Sequence, residues 1–146
     1  MSKFMKILNN ISRSQAIYRH SRVSDGDIQG NHYSFLLAIC REPGRSQEDL
    51  ARELCVNKST VARNVCYLEE KGYVERQPLE NDKRQFSVFP TSKALEILPE
   101  IRSASEEWMS LLSQDIPKAD LEVFDRVLKL MQEKARSIID NQEVEK

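Results

Sequence analysis

Residues 46–84, SQEDLARELCVNKSTVARNVCYLEEKGYVERQPLENDKR, are compatible with few folds. Ser46 followed by Asp49 is a capping-box pattern with the shorter acid, opening a helix of about residues 47–54 with Leu50, Ala51 and Leu54 as its apolar positions. Cys55-Val56-Asn57 makes the turn. Asn57 or Ser59 then caps a second helix, with Val61, Val65 and Leu68 inward at i, i+4, i+7 and Gly72 at its C-cap. Two helices joined by so short a turn predict a helix-turn-helix. Tyr73–Arg76 and Phe86–Phe89 then alternate as strands around a polar loop that holds Pro78, Asn81 and Asp82 and ends in Lys83 and Arg84. The loop is longer than a minimal hairpin needs, which marks function more than packing.

The rest of the chain has to cover this stretch. With 146 residues and 40% apolar content it can bury one ordinary core. No apolar run is long enough for a bilayer, and the basic N-terminus lacks the apolar stretch of a secretory signal, so a soluble, cytoplasmic protein is expected. Cys40, Cys55 and Cys66 are odd in number and lack ligand spacing. They read as reduced small hydrophobes, with neither a disulfide framework nor a metal site. Net charge is −1, but residues 1–22 carry +5 and residues 94–146 carry −5. A cationic front and an acidic back suit a protein that meets phosphate in one orientation.

Residues 3–22 place Phe4, Ile7, Leu8, Ile11 and Tyr18 at helical spacing, and SDGDIQGN at 24–31 breaks the chain. Asn31 is the expected N-cap of a helix of roughly residues 32–42, apolar nearly all round and so the most buried, which Glu42-Pro43-Gly44 ends. Thr91 or Ser92 opens a later helix that Pro99 should kink or restart. Pro117 begins the last helix at its first position, with Leu121, Phe124, Val127, Leu128, Met131, Ala135 and Ile138 as a stripe and fraying expected beyond Ile139. The first and last helices carry more apolar surface than one small domain can cover, so a homodimer is expected.

The second helix of the motif supplies Asn57, Lys58, Ser59, Thr60, Arg63 and Asn64 with no acid among them. Its N-terminal N–H groups suit a phosphate, Arg63 could pair with guanine and Asn64 with adenine, and Ser59 and Thr60 with either base edges or phosphate.

Leu50-Ala51, Leu54, Val56, the run Thr60 to Arg63, Leu68-Glu69, Lys71 to Arg76 and Asn81-Asp82-Lys83-Arg84 resemble the winged helix-turn-helix of MarR-type transcriptional regulators. The resemblance implies a mainly α fold with a small β-hairpin wing, flanked by N- and C-terminal dimerisation helices. Residues 31–92 would form the DNA-binding domain, and residues 1–30 and 93–146 the helical dimerisation region, as one compact unit. It implies a homodimer on double-stranded DNA with a pseudo-palindromic operator, acting as a repressor, with one helix per subunit in the major groove. Arg84 would enter the minor groove while Asp82 steadies the loop beside Lys83. Two positions depart from the family's pattern: Pro90-Thr91 stands for Leu-Thr, and Ala94 for Gly, leaving the strand end and the next helix start open. The family often senses small anionic aromatic compounds in a cleft; here Tyr18, Arg19, His32 and Trp108 would line it. His32 also reads as a cap or surface residue and Trp108 as a core or interface residue.

Two other readings compete. One is a winged-helix module for protein contacts, against which the cations Lys58, Arg63, Lys83 and Arg84 count. The other is a thiol-based redox regulator acting through Cys66 on the second helix of the motif. An enzyme is not expected and no cofactor is implied, since the sequence has no Ser/His/Asp arrangement, phosphate-binding glycine loop or metal cluster.

Overall fold

The computed structural model describes residues 3–144; the ends of the two flanking regions, residues 1–2 and 145–146, lie outside them. The chain divides into two compact units, Met1–Trp108 and Met109–Lys146.

In the first unit, α1 (Lys3–Arg22) follows the amphipathic spacing, yet its only buried residue is Arg19, and Phe4, Met5, Ile7 and Ile11 stay exposed. Gly30, at φ +51°, turns the chain into α2 (His32–Arg41). Asn31 does not cap that helix through its side chain, contrary to the sequence reading. Gly30 delivers it already in helical geometry, and the exposed Gln29 N–H is taken by His32 Nδ1 at 3.1 Å instead. Tyr33, Phe35, Leu36, Ala38 and Ile39 of α2 are buried at the centre of the core, which is where a helix apolar on nearly every side must go.

A third strand, which the sequence did not suggest, follows α2. Gly44, at φ +88°, lets its N–H reach Val88 O at 2.8 Å and starts β1 (Arg45–Ser46). A Cβ on Gly44 would also come within 3.2 Å of the Phe89 ring. Strand β1 pairs antiparallel with β3 (Phe86–Pro90), which pairs antiparallel with β2 (Val74–Pro78), giving the order β1-β3-β2. The sheet is thus one strand wider than a hairpin, and two residues were too few to show alternation.

Both departures from the family pattern resolve locally. Pro90 ends β3 opposite Val74, where a missing ladder donor costs little. Thr91 donates its hydroxyl to Gly72 O at 2.6 Å, and α5 (Ser92–Ser113) starts directly after it, with Ala94 buried. Pro99 neither starts nor restarts this helix; it lies inside it, flanked by the buried Leu98 and Ile101 that pin the helix to the core.

In the second unit, α6 (Lys118–Val144) begins one residue after Pro117, whose carbonyl accepts from Asp120 and Leu121. It continues past Ile139, where fraying was expected, to Val144. None of its described residues is buried, and Phe124, Val127, Leu130, Met131 and Ile138 are 44–61% exposed. No helix among the described residues is long and apolar enough to cross a membrane.

Candidate nucleic-acid interface

The helix-turn-helix is held by local bonds that its sequence prescribes. Ser46 Oγ accepts from Asp49 N at 3.0 Å and starts α3 (Gln47–Leu54). Cys55 takes a left-handed conformation, φ 54°, that closes α3 and turns the chain over three residues. Asn57, not Ser59, caps α4 (Lys58–Glu70): its Oδ1 accepts from Thr60 N at 2.8 Å and from Ser59 Oγ at 2.7 Å. At the far end Gly72, φ +81°, allows paired closing bonds from Gly72 N to Glu69 O and from Tyr73 N to Leu68 O.

Val61, Val65 and Leu68 turn α4's inner face fully into the core. Lys58, Ser59, Ala62 and Arg63 are exposed on its outer face, and the first turn contains no acid. Arg63 Nη2 lies 3.4 Å from Thr60 Oγ1, and the half-buried Asn64 donates its amide to Thr60 O at 2.8 Å. Among the described residues the ion pairs involve none of Lys58, Arg63, Lys83 and Arg84, whereas nearby acids are engaged: Glu53 by Arg41 and Arg45, Glu69 by Arg76. The motif therefore offers unpaired cations beside a helix N-terminus, an arrangement that binds phosphate.

The wing is β2, β3 and the loop between them. Leu79 N donates to Gln85 O and Gln85 N to Asp82 O, while Asp82 Oδ1 accepts from Arg84 N at 3.0 Å. The carboxylate thus folds the loop back on itself, and Lys83 and Arg84 are left exposed at its end.

The four residues considered for a ligand cleft take separate partners. Tyr18 and Trp108 meet, ring centroids 5.3 Å apart, with Arg22 over Tyr18 and paired to Glu107 at 3.3 Å. Arg19 is buried with its guanidinium 5.0 Å over the Tyr33 ring, and burial pulls its pKa down. His32 stacks instead on Tyr67 of α4 at 4.3 Å, and burial lowers its pKa. The three cysteines are free, with Cys66 half-buried and its Sγ 3.8 Å from Glu70 Oε1.

Contacts missed in the sequence centre on α4. Tyr67 donates to Asp27 O at 2.8 Å, Tyr73 to the Asp25 carboxylate, and Lys71 pairs with Asp27, so the loop before α2 grips the C-terminal end of α4. These join residues 40 or more positions apart, which no local pattern reports.

Two helices about a three-residue turn, followed by a sheet with a projecting hairpin, define a winged helix-turn-helix protein. Residues 26–85 match the MarR family. The HTH-type transcriptional regulator YybA of Bacillus subtilis (strain 168), itself uncharacterized, is 29% identical over 106 residues, 73% of this chain and 71% of the relative. The structure of a MarR transcriptional regulator from Methanosarcina mazei Go1 superposes with a TM-score of 0.84 at 29% identity, covering 94% of this chain and 99% of that one. A Listeria monocytogenes protein complexed with 26mer DNA shares the fold, with a TM-score of 0.85 at 21% identity over 94% of this chain and 91% of its own. The family match, the curated relative and the similar structures support a place for the chain in the MarR family of transcriptional regulators.

Proposed function

We propose that this protein is a cytoplasmic, homodimeric repressor that binds a pseudo-palindromic operator, with α4 in the major groove and the wing along the minor groove. The observation that carries the reading is the acid-free, exposed start of α4 with its unpaired Lys58 and Arg63. The fold shared with a protein crystallised in complex with 26mer DNA supports it.

Within this reading the side chains divide by what the fold leaves free. Asn57 spends its carbonyl on the cap, so its amide N–H groups, together with Lys58, face phosphate. Ser59 and Thr60 lie at the same helix end. Arg63 is the residue for a guanine edge; Asn64 already spends one donor on Thr60 O, so its carbonyl is its freer group. Arg84 and Lys83 serve the minor groove and adjacent phosphate, with Asp82 holding their loop.

The exposed stripe of α6 supports the dimer. Leu121, Phe124, Leu128, Met131, Ala135 and Ile138 recur in a three-four alternation, the spacing of a helix seam, yet none is buried. A 27-residue helix with no buried residue has its apolar stripe to give to another copy. A small anionic aromatic effector taken up by Tyr18, Arg19 and Trp108 would release the operator; His32, stacked on Tyr67, would report to α4.

Selection of bound sites from random duplexes tests the reading. Two half-sites related by a two-fold axis, about one helical turn apart, are expected. Arg63→Ala should relax preference at particular base pairs, at roughly 1–3 kcal/mol for a lost bidentate base contact. No enrichment would assign the surface to a protein partner, and uniform weakening by Arg63→Ala would make it a phosphate contact.

A further inference from the structure

Glu69 sits in the last turn of α4, where the helix dipole disfavours an acid, and no basic residue in that turn offsets it. Its carboxylate instead crosses to β2. Glu69 Oε2 accepts from Arg76 N at 2.9 Å, and Oε1 accepts from Arg76 Nε at 3.1 Å and Nη2 at 2.8 Å. The Arg76 side chain in turn lies 5.5 Å from the Phe86 ring centroid on β3. One residue pair therefore ties α4 to both strands of the wing. The guanidinium holds the Glu69 carboxyl below its usual range, so the pair is ionised at neutral pH.

We propose that Glu69 and Arg76 are positioning residues that set the angle of the wing against α4, so that the wing cations reach DNA while α4 is seated. The inference rests on the DNA-binding reading above. The wing is anchored at its base, and its loop extends several residues beyond Arg76 at about 3.3 Å per residue along a strand. A small rotation at the base moves Arg84 by ångströms at the tip. Neither Glu69 nor Arg76 needs to touch DNA for this to work.

A double-mutant cycle on the full-length protein, with a duplex selected by the wild-type chain as the probe, tests it. Glu69→Gln keeps the side-chain shape but loses the charge-assisted fork. It should weaken binding roughly tenfold and lower the salt dependence of affinity by about one ion, as removal of one phosphate-region cation does. In an Arg84→Ala background the same change should have no further effect, while in a Lys58→Ala background its loss should remain in full. Arg76→Lys, which retains charge without the planar fork, should follow the same pattern, with far-ultraviolet circular dichroism showing each variant folded. Equal losses of affinity in all backgrounds, or lower melting temperature with unchanged affinity, would reduce the pair to a fold-stabilising contact and overturn the proposal. An Arg84→Ala variant that binds as wild type would overturn the wing contact itself and this proposal with it. Weakened Arg84→Ala with additive Glu69→Gln overturns the positioning role alone.

Discussion

Leu68→Ala should destabilise the helix-turn-helix by roughly 2–5 kcal/mol, a large part of what holds a domain of this size together. Leu68 is fully buried in the last turn of α4, and its carbonyl accepts the closing bond from Tyr73 N. Truncating it leaves a void bounded by other core side chains, and close-packed interiors relax only in part. Chemical denaturation should show a lower midpoint at an unchanged slope. DNA binding should be lost with the fold and not selectively, because Leu68 faces away from solvent. A change of less than about 1 kcal/mol would mean that α4 is not anchored through this face.

Charges placed on the α6 stripe should have the largest effect on binding. Phe124→Glu with Met131→Glu puts two carboxylates one heptad apart on a seam that is apolar and unburied within the chain. Light scattering should then give the monomer mass, while circular dichroism shows the helix-turn-helix intact. Affinity for a two-half-site duplex should fall by about 10²–10⁴, the usual gain from joining two binding modules. Affinity for a single half-site should be unchanged. A variant that remains dimeric would place the interface elsewhere, with the exposed apolar residues of α1 the next surface to test.

What was legible in the sequence was what is decided locally. Ser46, Asn57 and Gly72 each make the bonds their residue types and positions require, and so the motif could be drawn from the chain alone. Asn31 had the right residue type for a cap, but Gly30 one position earlier fixed the backbone that overruled it. Strand β1 depends on the distant Val88 carbonyl, and its two residues carry no period. Pro99 gives up one ladder bond, and burial on both sides of it keeps α5 running. At the candidate interface the residue types were readable but their commitments were not. That Asn57 and Asn64 are partly spent on the helix itself, that Glu69 reaches Arg76, and that His32 lies on Tyr67 are set by packing across the chain.

Whether the unpaired cations of α4 and the wing bind duplex DNA is decided by equilibrium titration of the selected duplex over a range of salt, with the wild-type protein and with Lys58, Arg63, Lys83 and Arg84 replaced together by Ala. Wild-type affinity should fall steeply with salt, and the quadruple variant should lose both most of its low-salt affinity and several ions from the slope. If the folded variant bound as tightly as wild type with the same salt dependence, those four side chains would not be the DNA-binding surface.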